Sequence, residues 1–204
     1  MTNEALKTIT IVSSAGSGNV FAQHLIRSNL MVNVRWVHHD LNQADKNGIN
    51  LVFIRNPYEN VASGLEVTLS YMSKEEKDLF VSRPRAIRNR VENTLESYQR
   101  YINHSKKFDY ITPVTFDLLT KNPDRFVRYI SKKFDIPYAA KHFSSDSVKG
   151  HIDSLHAEAN RLPREKSDFR KAIDKAVYKN DKIAEEYQRY IKYRDVLQLT
   201  ENML

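Results

Sequence analysis

Leu51-Val52-Phe53-Ile54-Arg55-Asn56-Pro57-Tyr58-Glu59-Asn60-Val61-Ala62-Ser63 joins an apolar run to a helical one through an arginine. The first four residues read as a buried β-strand. Asparagine is a favoured N-cap and proline suits the first helical position, so Asn56-Pro57 predicts a helix start. An arginine at the strand's end and the hydroxyl of Ser63 could both face an anion there. Strand ends followed by helix N-termini are where α/β proteins bind phosphates. The same arginine would also suit a plain surface ion pair, and the segment alone leaves both readings open.

Upstream, Thr8-Ile9-Thr10-Ile11-Val12 is β-branched and predicts a second buried strand. It feeds Ser13-Ser14-Ala15-Gly16-Ser17-Gly18-Asn19, then an apolar-periodic helix carrying Val20, Phe21, Leu25 and Ile26. A small-residue loop between strand and helix can cradle a phosphate, because glycines let backbone N–H groups approach the anion. Ser14, Gly16, Ser17, Gly18 and Asn19 are the candidate ligands. No Gly-Lys-Ser/Thr closes the loop, so it is not a Walker A sequence. Gly16, Gly18 and Asp40 half-fit a dinucleotide fingerprint, but Phe21 stands where its third glycine belongs. A tight turn without a ligand is the simpler alternative.

Together these segments resemble the sulfotransferase family, of which the chain would be a divergent, compact member. In that family a first strand feeds a Lys-Ser-Gly loop that holds the 5′ end of 3′-phosphoadenosine-5′-phosphosulfate (PAPS). A later strand ends in Arg-(Asn/Asp)-Pro, and a serine eight residues on helps the arginine grip the 3′-phosphate. Arg55 and Ser63 have that spacing, and Ser17-Gly18 matches the loop. Asp109 to Leu119, then Asn122-Pro123 and Phe126 to Phe134, is similar to the family's next strand, turn and helix. The resemblance covers residues 8 to 137. It implies a P-loop-like α/β fold and a PAPS or adenosine 3′,5′-bisphosphate site. The implied activity is sulfuryl transfer to a hydroxyl or amine of a small molecule or glycan.

The chain departs from the family at the loop lysine, whose place is taken by Gly16, and Asn19-Val20 replace the hydroxyl residues that follow. Such a lysine would balance charge on the leaving oxygen. One lost electrostatic donor costs about 10²–10³ in rate in other enzymes. A basic residue from elsewhere, a slow enzyme, and a noncatalytic nucleotide-binding or structural protein are all compatible with Gly16. A kinase or another nucleotide-dependent transferase is a further alternative.

Val34-Arg35-Trp36-Val37-His38-His39-Asp40 alternates and predicts another strand. The resemblance implies a general base at its end, with His39 the first candidate and His38 the second. Imidazole titrates near neutrality, which suits proton removal. Two histidines satisfied by Asp40 or water at a sheet edge is the plainer reading.

The chain of 204 residues suffices for one domain with a sizeable core. We expect a single domain over 1–204: a central, mostly parallel sheet with helices on both faces, and a helical C-terminal section over 151–204. Cysteine is absent, so thiolate metal sites and disulfides are excluded. No apolar run reaches membrane-spanning length and no signal-peptide pattern opens the chain, so a cytoplasmic protein without membrane partners is expected. No metal is expected, since His142, His151 and His156 lack helical pairing. The net charge of +7 concentrates in Arg83, Arg85, Arg88 and Arg90. These lie among a helical stripe of Ile87, Val91, Leu95, Tyr98 and Ile102, which makes them a solvated face before a nucleic-acid surface. An anionic-substrate funnel is the sharper alternative.

Ser73-Lys74-Glu75-Glu76 has a capping-box pattern and predicts a short helix before the long one. Residues 144 to 166 are polar and read as a long loop. Within it Lys149-Gly150 is a thin match to the family's basic-Gly loop over the 3′-phosphate. From Ser167 onward a charged helical section turns Ile173, Val177, Ile183, Tyr187, Tyr190 and Ile191 inward.

Overall fold

The computed structural model describes residues 6–13, 18–38, 41–140, 144, 146–150 and 168–203. Four strands form one sheet: β1 (Thr8–Ser13), β2 (Asn33–His38), β3 (Ile49–Ile54) and β4 (Ile111–Thr115). Their order is β2-β1-β3-β4, and every pairing is parallel. Ser13 registers with His38, Ile11 with Leu51 and Ile54 with Thr115, so the carboxyl ends of all four strands share one edge.

The sheet is accompanied by the helices α1 (Asn19–Asn29), α2 (Pro57–Ser70), α3 (Lys74–Val81), α4 (Pro84–Lys107), α5 (Phe116–Lys121), α6 (Pro123–Phe134), α7 (Asp168–Tyr178) and α8 (Asp181–Met203). Strand side chains alternate between two cores, as a parallel sheet covered on both faces requires. Ile9, Ile11, Leu51, Phe53 and Val114 pack with α1, α5 and α6. Val12, Val52, Ile54 and Ile111 pack with α2, α4, α7 and α8. The α/β class, the parallel sheet and the helices on both faces therefore match expectation.

Local signals were honoured where they were strong. The Asn56 side chain accepts the Tyr58 N–H at 3.0 Å and Pro57 opens α2. Ser73 and Glu76 form both bonds of the capping box. On α4, Ile87, Val91, Leu95, Tyr98 and Ile102 are all buried, while Arg83, Arg85, Arg88 and Arg90 are exposed. The inward side of α7 and α8 is as expected: Ile173, Val177, Ile183 and Tyr190 are buried, and Tyr187 and Ile191 pack against them.

Two expectations are corrected. Val20 belongs to the apolar period that predicts α1, but it is exposed and Ala22 is buried in its stead. The α1 stripe follows Ala22, Leu25, Ile26 and Asn29, one helical face of which Val20 is not part. Within the 144–166 stretch read as a loop, residues 146–150 are helical and Val148 is buried against the α1 core, while 145 and 151–166 lie outside the described residues. A single apolar residue is enough to anchor one turn, too sparse a signal for periodicity to detect.

Candidate functional site

The topology defines a crevice before any side chain is considered. From β1 the chain passes through α1 to β2 on one side, and from β3 it passes through α2 to β4 on the other. Adjacent parallel strands whose connections diverge leave a cleft outside their carboxyl ends. Here those strands are β1 and β3, so the residue before α1 and the Arg55-Asn56 junction before α2 are neighbours across it. Both helices present their N-termini to the same edge, where backbone N–H groups and the helix dipole favour an anion.

Gly18 is the first built element of this edge. Its φ of 74° lies in the left-handed region, where a side chain is strained. A Cβ there would lie 2.8 Å from Phe116 Cε2 and 3.2 Å from Leu119 Cδ2. The Gly18 carbonyl accepts the Ala22 N–H at 2.9 Å and begins α1. Asn19 follows, buried, as the first helical residue.

Arg55 is the second element. Its backbone carbonyl accepts the Tyr98 hydroxyl from α4 at 2.5 Å. Burial raises the Tyr98 phenol well above its ordinary value, so it stays a donor. The Arg55 guanidinium lies 4.4 Å from the centre of the Phe116 ring, within cation–π range. Phe116 thus touches both motifs: its ring edge closes on Gly18 and its face carries Arg55. Phe116 itself is placed by the β4–α5 junction, where Thr115 accepts the Leu118 N–H at 3.2 Å as N-cap.

A third contribution comes from the chain's last helix, and sequence reading missed it. Glu201 on α8 is buried and accepts the Thr115 N–H at 2.6 Å and the Thr115 hydroxyl at 2.7 Å. Burial raises its carboxyl above the ordinary range, although the two Thr115 bonds and Arg125 pull it down. Arg125 on α6 donates to Asn202 at 2.6 Å beside it. Glu201 therefore fastens the strand end that carries Phe116. A lone Glu in a charged helix gives no hint of this in sequence.

Charge beside Arg55 is organised by α2 and α7. Glu59 Oε2 lies 3.5 Å from Arg55 and 3.6 Å from Arg170. Arg170 also reaches Glu66 and Asp174, each at 2.8 Å. Burial works against its charge, but the bonds to Asp174 and Glu66 outweigh that and hold its pKa above the ordinary value. Tyr58 and Tyr178 stack at 4.9 Å and join the same two helices.

Of the residues singled out in the sequence, Gly18, Asn19 and Arg55 come together at the crevice. Ser63 is buried two turns into α2. His38 ends β2 in register with Ser13 at the same sheet edge. Lys149 pairs with Asp146 at 3.8 Å and lies 5.9 Å from the ring centre of Phe21, which puts it beside the first turn of α1. Gly150 has open space where a Cβ would stand, so no steric demand selects glycine there. Ser14, Gly16, Ser17, His39 and Asp40 lie outside the described residues, as do His142, His151 and His156.

Among the described residues no group of three His, Cys, Asp or Glu could hold a metal ion, and no helix is long and apolar enough to cross a membrane. A cavity of about 230 Å³ opens at the opposite end of β4, lined by Ser105, Asp109, Ile111 and Leu197 among others. It sits at the amino end of β4, away from the α1 and α2 N-termini. No family model matches the chain, and no curated protein does.

Proposed function

We propose that the protein is a PAPS-dependent sulfotransferase of P-loop-like fold, acting on a hydroxyl or amine of a small molecule or glycan. The observation that carries this reading is the meeting of Gly18 and Arg55 on Phe116, at the carboxyl ends of adjacent parallel strands. Two anion-binding motifs that are far apart in sequence would there serve one nucleotide with phosphates at both ends. The 13–19 loop and the α1 N-terminus would hold the 5′ end. Arg55 and Ser63 would hold the 3′-phosphate.

In the proposed reaction the acceptor oxygen or nitrogen attacks sulfur in line. The bond from sulfur to the 5′-phosphate oxygen breaks, and adenosine 3′,5′-bisphosphate leaves. His39, or His38 in its place, takes the acceptor's proton. Positioning and charge stabilisation would supply most of the rate, as in phosphoryl transfer.

Gly16, at the position of the loop lysine, favours a second reading: a noncatalytic nucleotide-binding protein on the same fold. Transfer of labelled sulfate from PAPS to a panel of hydroxyl and amine acceptors separates the two. The sulfotransferase reading predicts transfer that Arg55→Ala reduces and His39→Ala abolishes, with nucleotide binding intact in the His39 variant. Binding without transfer to any acceptor would leave the noncatalytic reading.

A further inference from the structure

Glu59 sits in the first turn of α2 with its side chain 44% exposed, and its Oε2 is shared between two guanidiniums at 3.5 and 3.6 Å. Both separations exceed those of a good charge-assisted hydrogen bond, so neither arginine holds the carboxylate tightly. The two arginines have different neighbours. Arg170 makes two contacts of 2.8 Å, to Glu66 and Asp174. Arg55, buried to a similar degree, rests on the Phe116 face at the edge of the crevice.

Resting on the anion site proposed above, we propose that Glu59 is a resident counter-anion of Arg55, displaced by an incoming phosphate and retained by Arg170. The arrangement lets Arg55 exchange one anion for another without stranding either charge. Glu59 would then set how tightly the site binds a phosphomonoester, by competing for its arginine. Arg170, from the far end of the chain, would act as a positioning residue that keeps Glu59 within reach after exchange.

Calorimetric titration with adenosine 3′,5′-bisphosphate tests this on four variants. Glu59→Gln, nearly isosteric, should bind about 2- to 5-fold more tightly than wild type, the scale of a half-exposed ion pair. Arg170→Met should bind more weakly, because Glu59 then has Arg55 alone. Arg170→Met in the Glu59→Gln background should have no further effect, a non-additivity that a merely structural role would not produce. Arg55→Ala should bind least. Unchanged or weaker binding by Glu59→Gln, with Arg55→Ala still impaired, overturns the counter-anion role and leaves the anion site standing. Arg55→Ala binding like wild type, or no binding by wild type, overturns both.

Discussion

The β3–α2 and β4–α5 junctions solve the same local problem in different ways. Each ends a parallel strand and starts a helix with a polar N-cap, Asn56 in one and Thr115 in the other. At Thr115 the anion is built in: Glu201 arrives from the last helix, is buried, and takes both the N–H and the hydroxyl. At Arg55 the neighbouring anion is Glu59, which is 44% exposed and shared with Arg170. A buried carboxylate on two short bonds is structural, because removing it strands polar groups. A half-exposed carboxylate at 3.5 Å is the one we propose to be exchangeable. On that proposal the same strand-to-helix edge serves stability at β4 and takes a ligand at β3.

That contrast breaks most visibly at Glu201. Glu201→Ala leaves a buried N–H and hydroxyl of Thr115 without their acceptor, and should cost about 3 kcal/mol by urea unfolding. Gly18→Ala should cost about 2 kcal/mol, from left-handed strain and from contact with the Phe116 ring and Leu119. It should also weaken anion binding, since displacing Phe116 moves the platform under Arg55. Asn56→Ala removes a helix cap and should cost about 1 kcal/mol with its effect confined to α2. Thermal unfolding of the three variants in one buffer checks the order. An Asn56→Ala loss as large as that of Glu201→Ala would erase the distinction between the junctions.

The smallest effect is the pH dependence of Glu201. Its carboxyl is raised in the folded state, so between the unfolded and the folded values the folded protein binds more protons than the unfolded chain. The stability this group contributes is full below the unfolded value and is lost as pH rises through the folded one. Wild type should therefore gain on Glu201→Gln as pH falls from 7 to 5. An equal difference at both pH values would mean that the carboxylate is not strained by its burial.

How much of this was legible in sequence follows the range of the interactions. Asn56-Pro57, the Ser73 box and the α4 stripe are read within a few residues, and the structure has each of them. The Gly18 turn and the Arg55 junction are recognisable for the same reason. Phe116 reads only as part of a strand and turn, because its contacts with Gly18 and Arg55 arise when β1, β3 and β4 align. Glu201 and Arg170 left no trace, since their partners lie on distant elements and charged helices usually keep such residues in solvent. Val148 was hidden by its polar neighbours.

The proposed role of Arg55 is to anchor a 3′-phosphate at the β1–β3 edge. Calorimetry with adenosine 3′,5′-bisphosphate and 5′-AMP, on wild type and Arg55→Ala, is the decisive test. Wild type should prefer the bisphosphate, and Arg55→Ala should lose about 10-fold or more of that affinity, the scale of a charge-assisted bond. Equal binding of the two nucleotides by wild type, or an Arg55→Ala variant that binds the bisphosphate as wild type does, would contradict it.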